Sequence, residues 1–169
     1  MKNLLSFQYD WFSDKNSFCD KHGELLKSLV GKTLNSVYAV YDMAYNEWFF
    51  DAPMIIDAEG IFVYVNVMNL CETAIGLDEF SPKDKPVWFE EPHPEGWTEE
   101  LEWHIFQPVN KCFGQRIVSV EPVTPEIYKQ LFGIEERGLN GLRVNLEHGA
   151  LILHDNGDEI FAQFFETKN

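Results

Sequence analysis

The chain has 169 residues and an apolar fraction of 45%, enough for one globular domain, which excludes a largely disordered protein. The 13 Lys and Arg face 28 Asp and Glu, and a net charge of −15 argues against direct binding to nucleic acid. The three cysteines are widely spaced, the N-terminal segment lacks a signal-peptide pattern, and no apolar run reaches the ~20 residues of a membrane span. We therefore expect a single cytoplasmic domain over residues 1–169, without membrane contact.

The first half of the chain predicts one helix followed by strands. Residues 13–30 place apolar side chains on one helical face, and Gly31 follows them as a helix-ending residue. Residues 33–42 favour a strand because aliphatic, β-branched and aromatic side chains dominate them. Residues 53–70 contain two apolar runs around a turn ending at Gly60, which predicts a β-hairpin.

The second half predicts a proline-rich arm, a helix and a meander. The prolines between residues 78 and 100 exclude a long helix and favour an extended arm. Residues 124–133 begin with Thr-Pro and end with Gly, the pattern of a capped helix. Residues 140–165 form apolar runs around turns at 148–149 and 156–157, so we expect a three-strand antiparallel meander.

Two segments share one pattern and predict an internal repeat. Gly-x-x-aliphatic-x-Ser-Val-x-x-Val fits residues 31–40 and 114–123 without a gap, and each copy leads into a hairpin. We expect repeats over 24–70 and 107–156, joined by the acidic Pro- and Trp-rich segment 72–103; chance recurrence of a short pattern is the alternative. One such unit cannot bury its apolar face alone, whereas two can close on each other.

The fold class expected is α+β. The duplicated strand-plus-hairpin units should form a mainly antiparallel sandwich or partly open barrel, with two or three helices packed on it.

Patterns for metal binding or catalysis are incomplete. Cys19 and His22 have plausible ligand spacing but form half of a zinc site, so a buried thiol beside a surface histidine is the simpler interpretation. His148 and His154 are explained by the hairpin turns, and residues 155–159 lack the full calcium loop. Nucleophile elbows and phosphate-binding glycine motifs do not occur. We expect no catalytic residue, metal or cofactor, although a carboxylate pair acting as acid and base stays open.

The segment from Glu72 to Glu102 combines negative charge with tryptophan. It holds ten acids against two lysines, about −8 in all, with Trp88, Trp97 and Trp103 among or beside them. Indole rings are favoured in binding hot spots, carboxylates steer basic partners, and prolines lower the ordering cost of binding. The alternative is that the tryptophans anchor a loop to its own domain. The residues expected to contact a partner are Asp78, Glu79, Asp84, Trp88, Glu90, Glu91, Glu95, Trp97, Glu99 and Glu100.

The stretch DEFSPKDKPVWFEEPHPEGWTEELEW, together with the overall charge, resembles bacterial immunity proteins that neutralise toxin domains, at the level of the class. The resemblance implies a non-enzymatic inhibitor that occludes the active site of a basic, nuclease-like toxin. Two alternatives stay open: a small-molecule-binding β-barrel whose cavity is lined by phenylalanines, and an inhibitor that mimics nucleic acid.

Overall fold

A computed structural model describes residues 2–4, 7, 9–68, 72–77, 79–88, 100–157 and 159–167. Helix α1 spans Lys15–Leu29, helix α2 spans Pro125–Phe132, and a 3-10 helix spans Gln107–Cys112. The strands are β1 Lys2–Asn3, β2 Leu34–Asp42, β3 Glu47–Phe49, β4 Met54–Ala58, β5 Ile61–Met68, β6 Glu72–Leu77, β7 Pro86–Val87, β8 Leu101–Ile105, β9 Ile117–Pro122, β10 Gly141–Leu146, β11 Gly149–Asp155 and β12 Ile160–Glu166.

Local capping explains where the two α-helices begin and end. The Asp14 carboxylate accepts a hydrogen bond from the Ser17 N–H at 2.9 Å and begins α1. The Thr124 hydroxyl accepts one from the Ile127 N–H and begins α2, which ends at Gly133 in the left-handed conformation. Both predicted helices are confirmed, and Gly23 lies inside α1 without interrupting it.

The first sheet is antiparallel and has β2 near one side. β2 pairs with β8 along one edge and with β3 and β4 along the other, and β5 and β6 follow outward. The predicted hairpin over residues 53–70 is confirmed by β4 and β5, which pair from Met54↔Val65 to Ala58↔Ile61. A short parallel pair, β1 with β7, lies outside this sheet.

The second sheet has the order β12-β11-β10-β9 and is antiparallel throughout. The predicted meander over residues 140–165 is therefore confirmed. Its first turn lies at Glu147 and His148, one residue earlier than expected, because Gly149 already belongs to β11. Its second turn lies where the sequence predicts it, since the N–H of Asn156 donates to the C=O of Glu159 at 2.9 Å.

The main core fills the space between the two sheets and beneath α1. The outer face of the first sheet packs against N-terminal residues and the arm, defined here as residues 79–88, while the outer face of the second sheet packs against α2. The α+β class with mainly antiparallel sheets and packed helices is confirmed, consistent with a sandwich or open barrel. Side chains of the main core include Phe18, Leu29, Leu34, Val37, Ile56, Val65, Phe106, Val109, Leu142, Val144, Leu151 and Leu153.

The two sheets are joined by reciprocal hydrogen bonds at the starts of β2 and β9. The N–H of Gly31 donates to the C=O of Ile117, and the N–H of Gly114 donates to the C=O of Leu34, both at 2.8 Å. In the shared sequence pattern, Gly31 corresponds to Gly114 and Leu34 to Ile117. If the two halves of the predicted repeat are exchanged, each of these two hydrogen bonds therefore becomes the other, as it would across a two-fold interface. The internal repeat over 24–70 and 107–156 stays a prediction, and such a junction is what it would produce.

Candidate protein-binding surface

The site predicted from the sequence lies partly outside the described residues. Of the four described members, Glu79, Asp84 and Glu100 are exposed and Trp88 is half-buried. The members outside the described residues are Asp78, Glu90, Glu91, Glu95, Trp97 and Glu99.

Two tryptophans of the predicted stretch pack against the domain itself. Trp103 is 6% exposed and belongs to the cluster on the outer face of the first sheet. Trp88 is half-buried, with its ring centroid 5.2 Å from that of Phe49. Trp103, which is not among the predicted contact residues, is buried because the alternation along β8 turns Leu101 and Trp103 inward and leaves Glu102 outside.

The predicted acids are not all brought together. Glu79 follows β6 and Glu100 precedes β8, and these strands lie on opposite edges of the first sheet. Four strand spacings separate the two edges, about 19 Å at the usual distance between neighbouring strands. Between them the arm crosses the outer face of the sheet, where Phe80 packs against Phe62 and Trp103 at centroid distances of 5.2 and 5.1 Å. The described carboxylates of the predicted stretch therefore do not form one patch.

A different acidic and aromatic surface forms around the turn between β2 and β3. Met43 and Tyr45 lie in this turn and are 45% and 59% exposed. The N–H of Met43 donates to the C=O of Glu100 at 2.8 Å, which holds the start of β8 beside the turn. We call this region the turn surface, and it comprises Tyr41, Met43, Tyr45, Glu47, Trp48, Glu100, Glu102 and His104.

The shape of the turn follows from two polar side chains. Asp42 is buried, and its carboxylate accepts hydrogen bonds from the N–H groups of Ala44 at 2.8 Å and Tyr45 at 3.3 Å. Asn46 has a left-handed backbone, with φ of 58°, and its side-chain oxygen accepts the Tyr41 hydroxyl at 2.9 Å. These bonds fix the backbone of the turn and leave the Met43 and Tyr45 side chains in solvent.

Half-buried rings form the floor of the turn surface. Tyr41 stacks on His104 with centroids 5.2 Å apart and meets Trp48 edge-on at 5.1 Å. Trp48 continues inward to Phe106 at 4.9 Å, so the floor rests on the main core. Flat rings of this kind accept apolar side chains and also the cations of Lys and Arg.

Carboxylates lie beside these rings and at the rim of the turn. Glu100 and Glu102 share the face of Tyr41 and Trp48, whereas the pairing Asp42↔Glu47 places Glu47 on the opposite face of the sheet. Glu47, Glu100 and Glu102 are exposed, and the Glu102 carboxylate lies 3.1 Å from Nε2 of His104. Within the described ranges, no Lys or Arg forms an ion pair with any of the three carboxylates. The turn surface is therefore able to take cations from a partner.

Little in the amino-acid sequence points to this surface. Of the residues in the turn surface, the predicted contact residues include Glu100. The others lie either in the β2–β3 hairpin, far away along the chain, or in β8. The available signal was the pair Met43 and Tyr45, apolar side chains placed in a turn where polar residues are usual.

The sequence predicts a buried Cys19 and an exposed His22, and the structure shows the opposite order of burial. His22 is buried between Phe12 and Phe18, at centroid distances of 5.4 and 5.2 Å, while Cys19 is only half-buried. The reason is helical spacing, since position 22 shares the inner stripe of α1 with Phe18 and Leu26. Burial lowers the pKa of His22, so the neutral ring is favoured.

His148 is exposed in its turn, whereas two other groups that could take part in chemistry, His154 and Cys112, are buried. His154 lies within β11 with its ring 4.4 Å from Phe132, so packing rather than turn formation accounts for it. Burial lowers the pKa of His154 and raises the pKa of the Cys112 thiol to about 12, which leaves both groups neutral near pH 7. Among the described residues, no three His, Cys, Asp or Glu side chains are grouped so that they could hold a metal ion.

No protein-family model, no curated protein and no solved structure matches this chain. In the part of the chain that the structure describes, no helix combines the length and apolar character needed to cross a membrane. The fold and the turn surface together define an α+β domain that presents exposed apolar side chains within a group of carboxylates.

Proposed function

We propose that this chain is a non-enzymatic module that binds a basic protein partner through the turn surface. The observation that carries the proposal is the exposure of Met43 and Tyr45 beside the carboxylates of Glu47 and Glu100. Other apolar side chains are also exposed, as at Leu77 and Val118, but Met43 and Tyr45 lie together in one turn, where a single partner can bury both.

The electrostatics favour a cationic partner. The net charge of −15 attracts basic proteins over long distances, and the local carboxylates orient them at contact. Lys or Arg side chains can bond to Glu100 and Glu102 while their apolar stems cover the floor of Tyr41 and Trp48, and Glu47 can bind a further cation from the other side of the turn. A nuclease-like toxin domain is the partner class that fits, because carboxylates then occupy the place of substrate phosphates against its basic active site.

Charge-reversal variants distinguish binding through the turn surface from attraction by net charge alone. The immobilised chain is used to capture proteins from a cell extract at low and at high salt, as wild type and as two double variants. Glu47→Lys with Glu100→Lys alters the turn surface. Asp20→Lys with Glu24→Lys makes the same change in net charge on the exposed side of α1 and serves as the control.

The proposal expects a basic protein that wild type and the α1 variant retain at low salt and that the turn-surface variant loses. Because screening shortens the electrostatic range to about 3 Å at 1 M salt, retention should also fall steeply at high salt. Equal retention by both variants, or capture that does not respond to salt, would contradict binding through the turn surface.

The apolar contribution is tested separately. Met43→Ser with Tyr45→Ser should lower affinity for the captured partner by about tenfold or more, or about 1.4 kcal/mol. Both side chains are exposed, so the free energy of unfolding should stay within about 0.5 kcal/mol of wild type, which denaturant titration checks. If the double variant binds the partner with unchanged affinity, Met43 and Tyr45 do not contribute to binding and the carboxylates alone form the contact.

A further inference from the structure

Asparagine followed by glycine is a dipeptide in which the side-chain amide reacts readily with the protein backbone. The backbone nitrogen of the glycine can attack Cγ of the asparagine, because glycine has no Cβ to hinder the approach. The chain holds two such dipeptides, Asn140-Gly141 and Asn156-Gly157. The fold gives them different exposure, hydrogen bonding and space, so their reactivity should differ as well.

Asn156-Gly157 lies in the turn between β11 and β12. Both residues are exposed, and a Cβ added to Gly157 would meet no atom within 4 Å. The N–H of Asn156 donates to the C=O of Glu159 at 2.9 Å, but within the described residues neither the N–H of Gly157 nor the Asn156 side chain forms a hydrogen bond. The nitrogen that attacks and the amide that leaves are therefore both open to water, in a turn with room to rearrange.

Asn140-Gly141 is held in the interior of the fold. Asn140 is 1% exposed, and its C=O accepts a hydrogen bond from the N–H of Asp155 at 3.3 Å. The N–H of Gly141 donates to the buried Thr73 hydroxyl at 2.8 Å. The Gly141 backbone also lies so close to β11 that an added Cβ would overlap the C=O of Leu153. Turning the Gly141 nitrogen towards the Asn140 side chain would break the bond to Thr73 and would require local unfolding.

We propose that Asn156 deamidates spontaneously in the folded protein, whereas the fold protects Asn140. The Gly157 nitrogen forms a bond to Cγ of Asn156, the Cγ–Nδ2 bond breaks, and the proton of the Gly157 amide leaves with the ammonia, which gives a five-membered succinimide. Water then opens this ring at one of its two carbonyl carbons. Opening at the side-chain carbonyl gives aspartate, and opening at the backbone carbonyl gives isoaspartate, in which Gly157 is attached through the former side chain.

Both products change the turn between β11 and β12. Each adds a carboxylate next to Asp155 and near exposed Glu159, where like charges repel. The isoaspartate product also adds one carbon atom to the main chain between the two residues that the Asn156 to Glu159 hydrogen bond joins. Neither residue of the Asn156-Gly157 pair belongs to the turn surface, so this chemistry is independent of the proposed function.

The experiment compares the folded full chain in warm, mildly alkaline buffer with the same chain unfolded in guanidinium chloride. Peptide mapping by mass spectrometry measures the rate at which each asparagine exchanges its amide NH2 for OH, and it separates aspartate from isoaspartate. Asn46 is exposed but precedes Glu47 instead of glycine, so it is the control for exposure alone. Asn156→Gln is the matched variant, because its longer side chain would have to close a six-membered ring.

In the folded chain, Asn156 should react at least about tenfold faster than Asn140 and Asn46. In guanidinium chloride, Asn140 should accelerate until its rate lies within about threefold of that of Asn156, because unfolding removes the difference in burial. The Asn156→Gln variant should lose the early product of the folded chain. Equal rates in the folded chain for Asn156 and either Asn140 or Asn46 would overturn the proposed site. A product that forms at Asn156 only after unfolding would overturn it as well.

Discussion

Burial, rather than sequence position, determines the state of individual titratable side chains. His154 follows a run of apolar residues in β11 and is 4% exposed, packed against Phe132 and near Phe161. Its Nδ1 lies 2.8 Å from the C=O of Asp155, a contact that partly offsets the cost of charging the ring, yet burial dominates and lowers the pKa. The sequence places His154 beside a turn but cannot show that a helix from another part of the chain covers it.

Acidification should therefore destabilise the fold through its buried histidines. Because the pKa of His154 is lower in the folded chain than the ordinary 6.5, the unfolded chain takes up the proton first as pH falls. The free energy of unfolding is therefore highest above about pH 6.5 and declines below it, by at most about 1.4 kcal/mol per pH unit for each buried histidine. Urea titrations from about pH 7.5 to 5 measure this slope.

His154→Leu should reduce the pH slope of the unfolding free energy even if the variant is less stable overall. His148→Leu is the control, because His148 is exposed in its turn. An undiminished slope in His154→Leu would show that His154 does not contribute to the loss of stability in acid.

Elements with complete local signals could be predicted from the sequence. Helix α2 carries Thr124 and Gly133 at its ends, and the last hairpin carries Asn156-Gly157, so their limits follow from capping and turn geometry. Strands β3 and β6 and the short pair β1 with β7 were not expected. Each is short or lacks a clear alternation, and pairing with distant strands determines its structure.

The junction of β2 and β9 gives the predicted repeat a measurable consequence. Gly31 and Gly114 have φ values of 85° and 80°, and an added Cβ would meet no atom within 4 Å at either position. The cost of Gly31→Ala and of Gly114→Ala is therefore conformational, about 1 kcal/mol each, and the two values should agree within about 0.5 kcal/mol. Chemical denaturation measures both.

Gly23→Ala provides a control of opposite sign. Gly23 lies inside α1 with open space around its Cα, so alanine there should stabilise the fold by about 0.5 to 1 kcal/mol. A cost at Gly31 that differs from that at Gly114 by more than about 1 kcal/mol would argue against equivalent roles for the two glycines.

For the whole molecule, the sequence establishes the sign and size of the net charge, but it does not show which charged residues lie together on the surface. The turn surface joins residues 41–48 to residues 100–104, and only the pairing of β2 with β8 brings them together. The site residues predicted from the sequence lie in one continuous stretch, and the structure places its described ends at opposite edges of the first sheet. Long-range strand pairing therefore determines the candidate site, and a local sequence pattern does not encode it.

The most direct measurement is the rate of association between the chain and its captured basic partner at about 0.05 M and about 0.5 M salt. Wild type, the Glu47→Lys and Glu100→Lys variant, and the Asp20→Lys and Glu24→Lys variant are compared. At low salt the turn-surface variant should associate at least about tenfold more slowly than the α1 variant, and the difference should largely disappear at high salt. Equal rates for the two variants at low salt would show that net charge alone attracts the partner, and the turn surface would lose its proposed role.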